Sequence, residues 1–221
     1  MSASAVSRRC WLALTGGGAL AAGFVGPALG LSSSRVFNVI RKGSTIGTHQ
    51  IDFGGDSGHL TVSNRIDLAV KIAFVTAYRY EQRGEDVWQS DVLVRTRIET
   101  NDDGEKSVVI AESSDGQLAV QGPKGSYATP LGAMTDLSFW NDAITGAPPL
   151  IDSQTGELIR MAVQTDTTEV VQVLGQPVEA RRYEMAATKG RSGTVWYDST
   201  ARLVKAVVVT RGETLNYELA A

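Results

Sequence analysis

The chain reads as an all-β protein, a single curved antiparallel sheet or half-barrel of about eleven strands with one short helix as lid or plug. Three observations predict it. Apolar residues recur at every second position over long stretches, turn residues punctuate them at short intervals, and only one segment breaks the alternation. The clearest alternation runs over residues 60–80. Leu60, Val62, Ile66, Leu68, Val70, Ile72, Phe74, Tyr78 and Tyr80 occupy even positions, and Thr61, Ser63, Arg65, Asp67, Lys71 and Arg79 occupy odd ones. One straight strand of that length would reach roughly 70 Å, too long for one domain, so a bend or break is expected near residues 69–73.

The other strands follow in order. Residues 35–41 and 45–53 flank Lys42-Gly43-Ser44, and Gly54 to Gly58 turns into the long alternating stretch. Arg83-Gly84-Glu85-Asp86 reads as a turn leading to a strand over 87–100. Asn101-Asp102-Asp103-Gly104 leads to 105–112, and Ser113-Ser114-Asp115-Gly116 to 117–121. Alternation stops at 130–152. There Thr135 and Asp136 are candidate caps for a helix over 137–144, which Pro148-Pro149 closes off. Strands then resume at 157–164, 168–174, 178–187, 194–197, 203–211 and 213–219. In such a sheet the lone helix is expected to sit over the concave face, burying Phe139 and Trp140.

The first thirty residues carry a different message. Ser7-Arg8-Arg9-Cys10-Trp11-Leu12, followed by an uncharged Gly/Ala-rich run, looks like a twin-arginine export signal, and Ala28-Leu29-Gly30 supplies small residues for cleavage before Leu31. Trp11 stands where such signals usually carry Phe, and Ala13 follows Leu12 where a lysine is common, so a general secretory signal is the alternative. Residues 1–30 are thus expected to be removed, leaving one periplasmic or otherwise exported domain over 31–221 with no stable membrane span. The only cysteine, Cys10, goes with the signal, so no disulfide is expected. Loss of Arg8 and Arg9 shifts the formal net charge from −3 to −5. That balance, with basic residues scattered among acidic ones along the sequence, argues against a nucleic-acid partner.

Candidate chemistry is sparse. His49 and His59 are the only histidines, and alternation puts Asp52 on the face opposite His49, so no converging metal-ligand set emerges and no metal or cofactor is expected. His49 shares a face with Ile51 and Phe53. It reads either as a hydrogen-bonded core residue or as a group meeting a ligand in the concavity, and only under an enzyme reading as an acid/base. No Gly-x-Ser-x-Gly elbow and no phosphate-cradling glycine loop occurs. Asp102-Asp103 and Glu85-Asp86 read as solvated turn carboxylates. The aromatics Tyr78, Trp88, Trp140 and Trp196, whose rings pair an apolar body with a polar tip, join His49 as the candidate ligand-binding set, with core packing as the alternative for each tryptophan. Trp140, carried on the helix, is expected to meet whatever the concave sheet holds.

The order Ile46-Gly47-Thr48-His49, Glu85-Asp86-Val87-Trp88, Phe139-Trp140-Asn141, Thr155-Gly156-Glu157, Val195-Trp196-Tyr197-Asp198 and a terminal strand over 212–217 resembles a group of exported proteobacterial proteins of unknown function. Their architecture is similar to that of the lipoprotein-carrier proteins of the Gram-negative periplasm. That resemblance implies a curved, unclosed antiparallel half-barrel with helical segments across its mouth, and says far more about fold than about activity. Three functional classes follow. The first is a binding or carrier module for an amphipathic, lipid-like small molecule. The others are a cofactor-independent enzyme using the same cavity with His49, and an envelope protein that binds partners through sheet edges.

Overall fold

The computed structural model describes residues 33–220 except 57, 73 and 74. The expected export signal, residues 1–30, lies outside the described residues. Sixteen strands are formed: β1 Ser33–Arg41, β2 Ser44–Asp56, β3 His59–Ile72, β4 Val75–Gln89, β5 Val92–Asp102, β6 Glu105–Ser114, β7 Gln117–Gly122, β8 Gly125–Pro130, β9 Met134–Thr135, β10 Leu150–Ile151, β11 Leu158–Ile159, β12 Met161–Val173, β13 Gln176–Ala187, β14 Ser192–Asp198, β15 Leu203–Thr210 and β16 Glu213–Leu219. Thirteen of them make one antiparallel sheet in the order β12-β13-β14-β15-β16-β1-β2-β3-β4-β5-β6-β7-β8. The first and last strands pair at its centre, Val39 opposite Tyr217, so the two chain ends of the domain knit the two halves together. Strands β9, β10 and β11 form a small separate sheet.

The fold is therefore all-β, with more strands than the eleven expected. The alternating stretch over 60–80 is two strands, β3 and β4, reversed between Ile72 and Val75 with Leu68 opposite Tyr80. Both ends of that stretch keep their apolar residues on one face because pairing across a hairpin preserves the side to which partners point. The turn expected at 83–86 is instead the middle of β4. The reversal comes later, at Ser90 and Asp91, which take positive φ of 48° and 63°. The two strands expected at 157–164 and 168–174 are the short β11 and the continuous β12.

Residues 131–160 leave the sheet and fill its concave face. The expected helix over 137–144 is two 3₁₀ turns, Ser138–Trp140 and Asp142–Gly146, separated by Asn141 in extended conformation (φ −104°, ψ 118°). Asn141 Oδ1 accepts the Ala143 amide and so starts the second turn, which a continuous helix would not allow. This plug touches strands from both halves of the sheet. The Phe139 ring lies edge-on to His49 of β2 (5.4 Å) and Tyr217 of β16 (5.6 Å), the Phe139 carbonyl accepts the Tyr197 hydroxyl of β14 at 2.7 Å, and Trp140 lies edge-on to Phe53 and Trp88. Only a sheet wrapped around the segment can make all of these contacts. The plug and the inward side chains share one hydrophobic core.

Strand β4 is shaped to receive the plug. Its inward residues after Tyr80 are Gln82, Gly84, Asp86 and Trp88. Gln82 Nε2 donates to Ser153 Oγ at 3.2 Å. A Cβ on Gly84 would sit 3.3 Å from Leu137 Cδ1, so glycine there permits close approach. Asp86 is fully buried, its Oδ1 accepting from Thr96 Oγ1, with Thr135 of the plug region beside it. The reading of Glu85-Asp86 as solvated turn carboxylates is thus corrected for Asp86, because β4 continues through it and points it inward.

Candidate functional site

Antiparallel pairing puts alternate turns at alternate ends of the sheet. At one end stand the turns after β1, β3, β5, β7, β13 and β15; at the other, those after β2, β4, β6, β12 and β14. Trp140 with Phe53 and Trp88 occupies the concavity towards the second end, and Phe139 and Tyr217 stand between them and the open part. Towards the first end the sheet and plug leave a cavity of about 450 Å³, within the range of small-molecule sites.

Its walls are apolar. Ile66, Leu68 and Val70 of β3, Met185 of β13, Val208 of β15 and Leu215 of β16 face Leu137, Ile144, Leu150 and Ile159 of the plug region. At the rim, polar groups come together in two networks. Arg211, in the turn after β15, donates Nη1 to Asp102 Oδ2 at 2.6 Å and Nη2 to Gln154 Oε1 at 2.8 Å. Asp102 Oδ1 accepts the Tyr78 hydroxyl at 2.7 Å, and Gln154 Nε2 donates to the Tyr80 hydroxyl at 3.0 Å. This chain of bonds links the β15–β16 turn to β4, β5 and the plug across the cavity's edge. In the second network Arg191 reaches Asp136 at 2.9 Å and Asp152 at 2.6 Å. Burial, and then the Asp152 carboxylate, pushes the Asp136 carboxyl up to about 6. Arg41 meets Glu213 through two parallel N–H···O bonds of 2.9 and 2.6 Å. The arrangement suits an apolar body inside and a polar group at the rim.

Of the five expected site residues, Tyr78 lines this cavity; His49, Trp88, Trp140 and Trp196 do not. His49 is sealed beneath Phe139 and Tyr217, with Nε2 3.0 Å from Asn64 Oδ1, and burial lowers its pKa to about 4. An acid/base needs access to its substrate, and this imidazole touches only the core. Trp88 and Trp140 stack edge-on at 5.6 Å in the opposite end of the concavity. The expectation that Trp140 meets the contents of the concave sheet is corrected by its place between Phe53 and Trp88, where packing uses the whole ring. Trp196 points to the convex face, since its neighbours Val195 and Tyr197 point inward. It packs with Val171, Val173, Ala180 and Val204 under Lys205 and donates Nε1–H to Glu169. His59 is exposed beside Asp56, and no group of potential metal ligands occurs among the described residues.

The arginines were missed because they lie in or beside turns, where alternation carries no signal. Ile66, Leu68, Val70, Tyr78 and Tyr80 did announce themselves as one face of the 60–80 stretch. No helix among the described residues is long and apolar enough to cross a membrane.

No curated protein matches the chain. A similar solved structure is that of a β-barrel-like protein, a domain of unknown function (DUF1849), from Brucella abortus. It superposes with a TM-score of 0.61 at 12% identity, over 85% of this chain and 94% of that one, a likeness that shows the fold. Residues 37–220 match the family model described as a domain of unknown function, DUF6134, and the chain belongs to that family.

Proposed function

We propose that this protein is exported and binds or carries an amphipathic, lipid-like small molecule in the rim cavity. The observation that carries this reading is the cavity itself. About 450 Å³ of apolar-walled space is left beside a plug that fills the rest of the concavity closely, and hydrogen-bonding side chains are gathered at its edge. Burial of an alkyl chain contributes about 0.8 kcal/mol per methylene, so a medium-length chain offsets association costs of several kcal/mol. The architectural resemblance to periplasmic lipoprotein carriers supports the same class. The enzyme alternative loses support because Phe139 and Tyr217, which line the cavity, cover His49.

A cavity-filling variant tests the reading. Val208 lines the cavity without being fully buried, so Val208→Trp is expected to occupy the space while the fold persists. Titration of an alkyl-chain fluorophore, with native mass spectrometry of protein taken from its own compartment, is expected to give binding in the parent and at least tenfold weaker binding in the variant. Equal binding by both, or none by the parent, refutes the proposal. For export, replacing Arg8 and Arg9 together by lysine is expected to abolish cleavage near Leu31, because the twin-arginine machinery distinguishes guanidinium from ammonium. Unchanged processing would assign the general secretory route.

A further inference from the structure

The sequence contains six lysines. Along the chain they look dispersed, yet Lys42, Lys71, Lys106, Lys124 and Lys189 all stand in or next to the turns at the cavity end of the sheet, after β1, β3, β5, β7 and β13. Lys42, Lys71, Lys106 and Lys124 are exposed, the Lys42 side chain at 73%. Among the described residues none of Lys71, Lys106 and Lys124 is in an ion pair, and Lys42 only shares Glu213, at 3.7 Å, with Arg41. Two rim carboxylates, Asp102 and Glu213, are held by Arg211 and Arg41, so the arginines neutralise acids and leave the lysines as the outward charge; Asp103 and Glu105 remain exposed between them. The turns at the opposite end carry Asp56, Asp91, Asp115 and Asp198 and no lysine, and Arg202 there is paired with Asp198. The chain is acidic overall, but its fold sorts the charge into a basic end surrounding the cavity and an acidic end remote from it.

We infer that the cavity end is a docking face for an anionic lipid surface, with the exposed Lys42, Lys71, Lys106 and Lys124 seated on the headgroups and the cavity mouth turned towards the bilayer. Lysine is a compact, flexible point charge suited to a diffuse anionic surface, whereas bidentate recognition of a single ligand favours arginine. Each lysine brought near an anionic leaflet strengthens association roughly fivefold, and the attraction fades within a Debye length. The acidic end repels the same surface, which fixes the orientation. A second observation distinguishes a bilayer from other polyanions. Val75, the first residue of β4, stands at this rim 69% exposed, beside Lys71. An apolar side chain among cations meets a lipid interface favourably and gains nothing from a nucleic-acid backbone. Docking by this face would let an amphipathic ligand pass between bilayer and cavity without crossing water. That consequence rests on the proposed ligand binding, while the docking itself does not.

Flotation or co-sedimentation with vesicles tests it, using the whole mature chain. Vesicles of phosphatidylcholine with one third phosphatidylglycerol are expected to bind the protein, pure phosphatidylcholine vesicles are not, and raising the salt from low to physiological concentration is expected to weaken binding. The variant with Lys42, Lys71, Lys106 and Lys124 all replaced by glutamine is expected to lose at least tenfold in affinity, and Val75→Asp to lose a smaller factor. A charge-matched variant with Arg95, Arg97, Arg181 and Arg202 replaced by glutamine, all exposed and away from this rim, is expected to bind vesicles like the parent. Equal loss in both quadruple variants, no vesicle binding by the parent, or equally tight binding to a DNA duplex overturns the docking face. Alkyl-probe binding without vesicle binding refutes the docking alone. Vesicle binding without probe binding refutes the carrier reading alone.

Discussion

Asp86→Asn is expected to make the protein more stable at pH 8, by on the order of 4 kcal/mol, and to remove most of the fall in stability between pH 4 and pH 8. In the folded protein burial pushes the Asp86 carboxyl up to about 7, against an ordinary value of 3.8. Between those values the unfolded chain has released its proton and the folded protein keeps it, so ionisation favours unfolding and stability falls as pH rises. His49 works in the opposite sense. Its folded pKa of about 4 lies below the ordinary 6.5. Between 4 and 6.5 the unfolded chain binds the extra proton, and stability rises with pH by on the order of 3 kcal/mol.

Asp136, raised to about 6, adds to the falling arm, so in the parent the two carboxyls together outweigh His49. Chemical denaturation from pH 4 to 8 is therefore expected to show the parent's stability falling as pH rises. Asp86→Asn is expected to show a nearly level profile, because Asp136 and His49 then offset each other, and His49→Gln a more steeply falling one than the parent. Profiles for Asp86→Asn that follow the parent at every pH would mean that the buried carboxyl is not protonated in the folded state. His49→Gln also bears on function, since a residue confined to the core alters stability while alkyl-probe binding by the folded fraction persists.

Trp140→Ala is expected to cost about 3–5 kcal/mol of stability and to leave alkyl-probe affinity of the folded protein within a factor of two. The indole is buried between Phe53 and Trp88 at ring separations of 5.1 and 5.6 Å, so truncation removes two edge-on aromatic contacts and opens a void that the wrapped sheet has little freedom to collapse. The cavity wall is made by other residues. Thermal or denaturant melts measure the first effect and probe titration the second. Val208→Trp is expected to do the reverse, sparing stability and abolishing probe binding. This pair of variants separates the packed end of the concavity from the open one. Large loss of probe affinity on truncating Trp140 would place the ligand beneath the plug instead of at the rim.

Alternation was legible wherever a strand's inward face is apolar, and it failed at the position where that face is polar. In β4 the inward series Tyr80, Gln82, Gly84, Asp86 and Trp88 reads as a turn because its middle three residues are typical of turns. They are inward because each has a counterpart there: Ser153 of the plug for Gln82, space-demanding Leu137 against Gly84, and Thr96 of β5 for Asp86. The same dependence explains the segment over 137–144. Its apolar residues and candidate caps suggest a helix, yet Phe139 packs on β2 and β16 and Trp140 on β2 and β4, and the segment is two short 3₁₀ turns broken at Asn141. Trp88 and Trp140 were read as ligand-binding aromatics, but their spacing along the chain carries no information about which end of the concavity they fill.

What the sequence determined by itself is therefore local: strand faces, most turns, the single interruption, and the one-sided apolar stretch that becomes a cavity wall. These follow from side-chain periodicity and backbone sterics, which act over a few residues. Only the tertiary structure decided that the first and last strands pair, that an empty space of about 450 Å³ remains at one end, and that Arg211, Asp102, Tyr78, Gln154 and Tyr80 join across its rim. The lysines show the distinction most sharply. Dispersed among acidic residues along the chain, they collect at one end because antiparallel hairpins return the chain to the same edge at every second turn, and no pattern read along the sequence contains that edge.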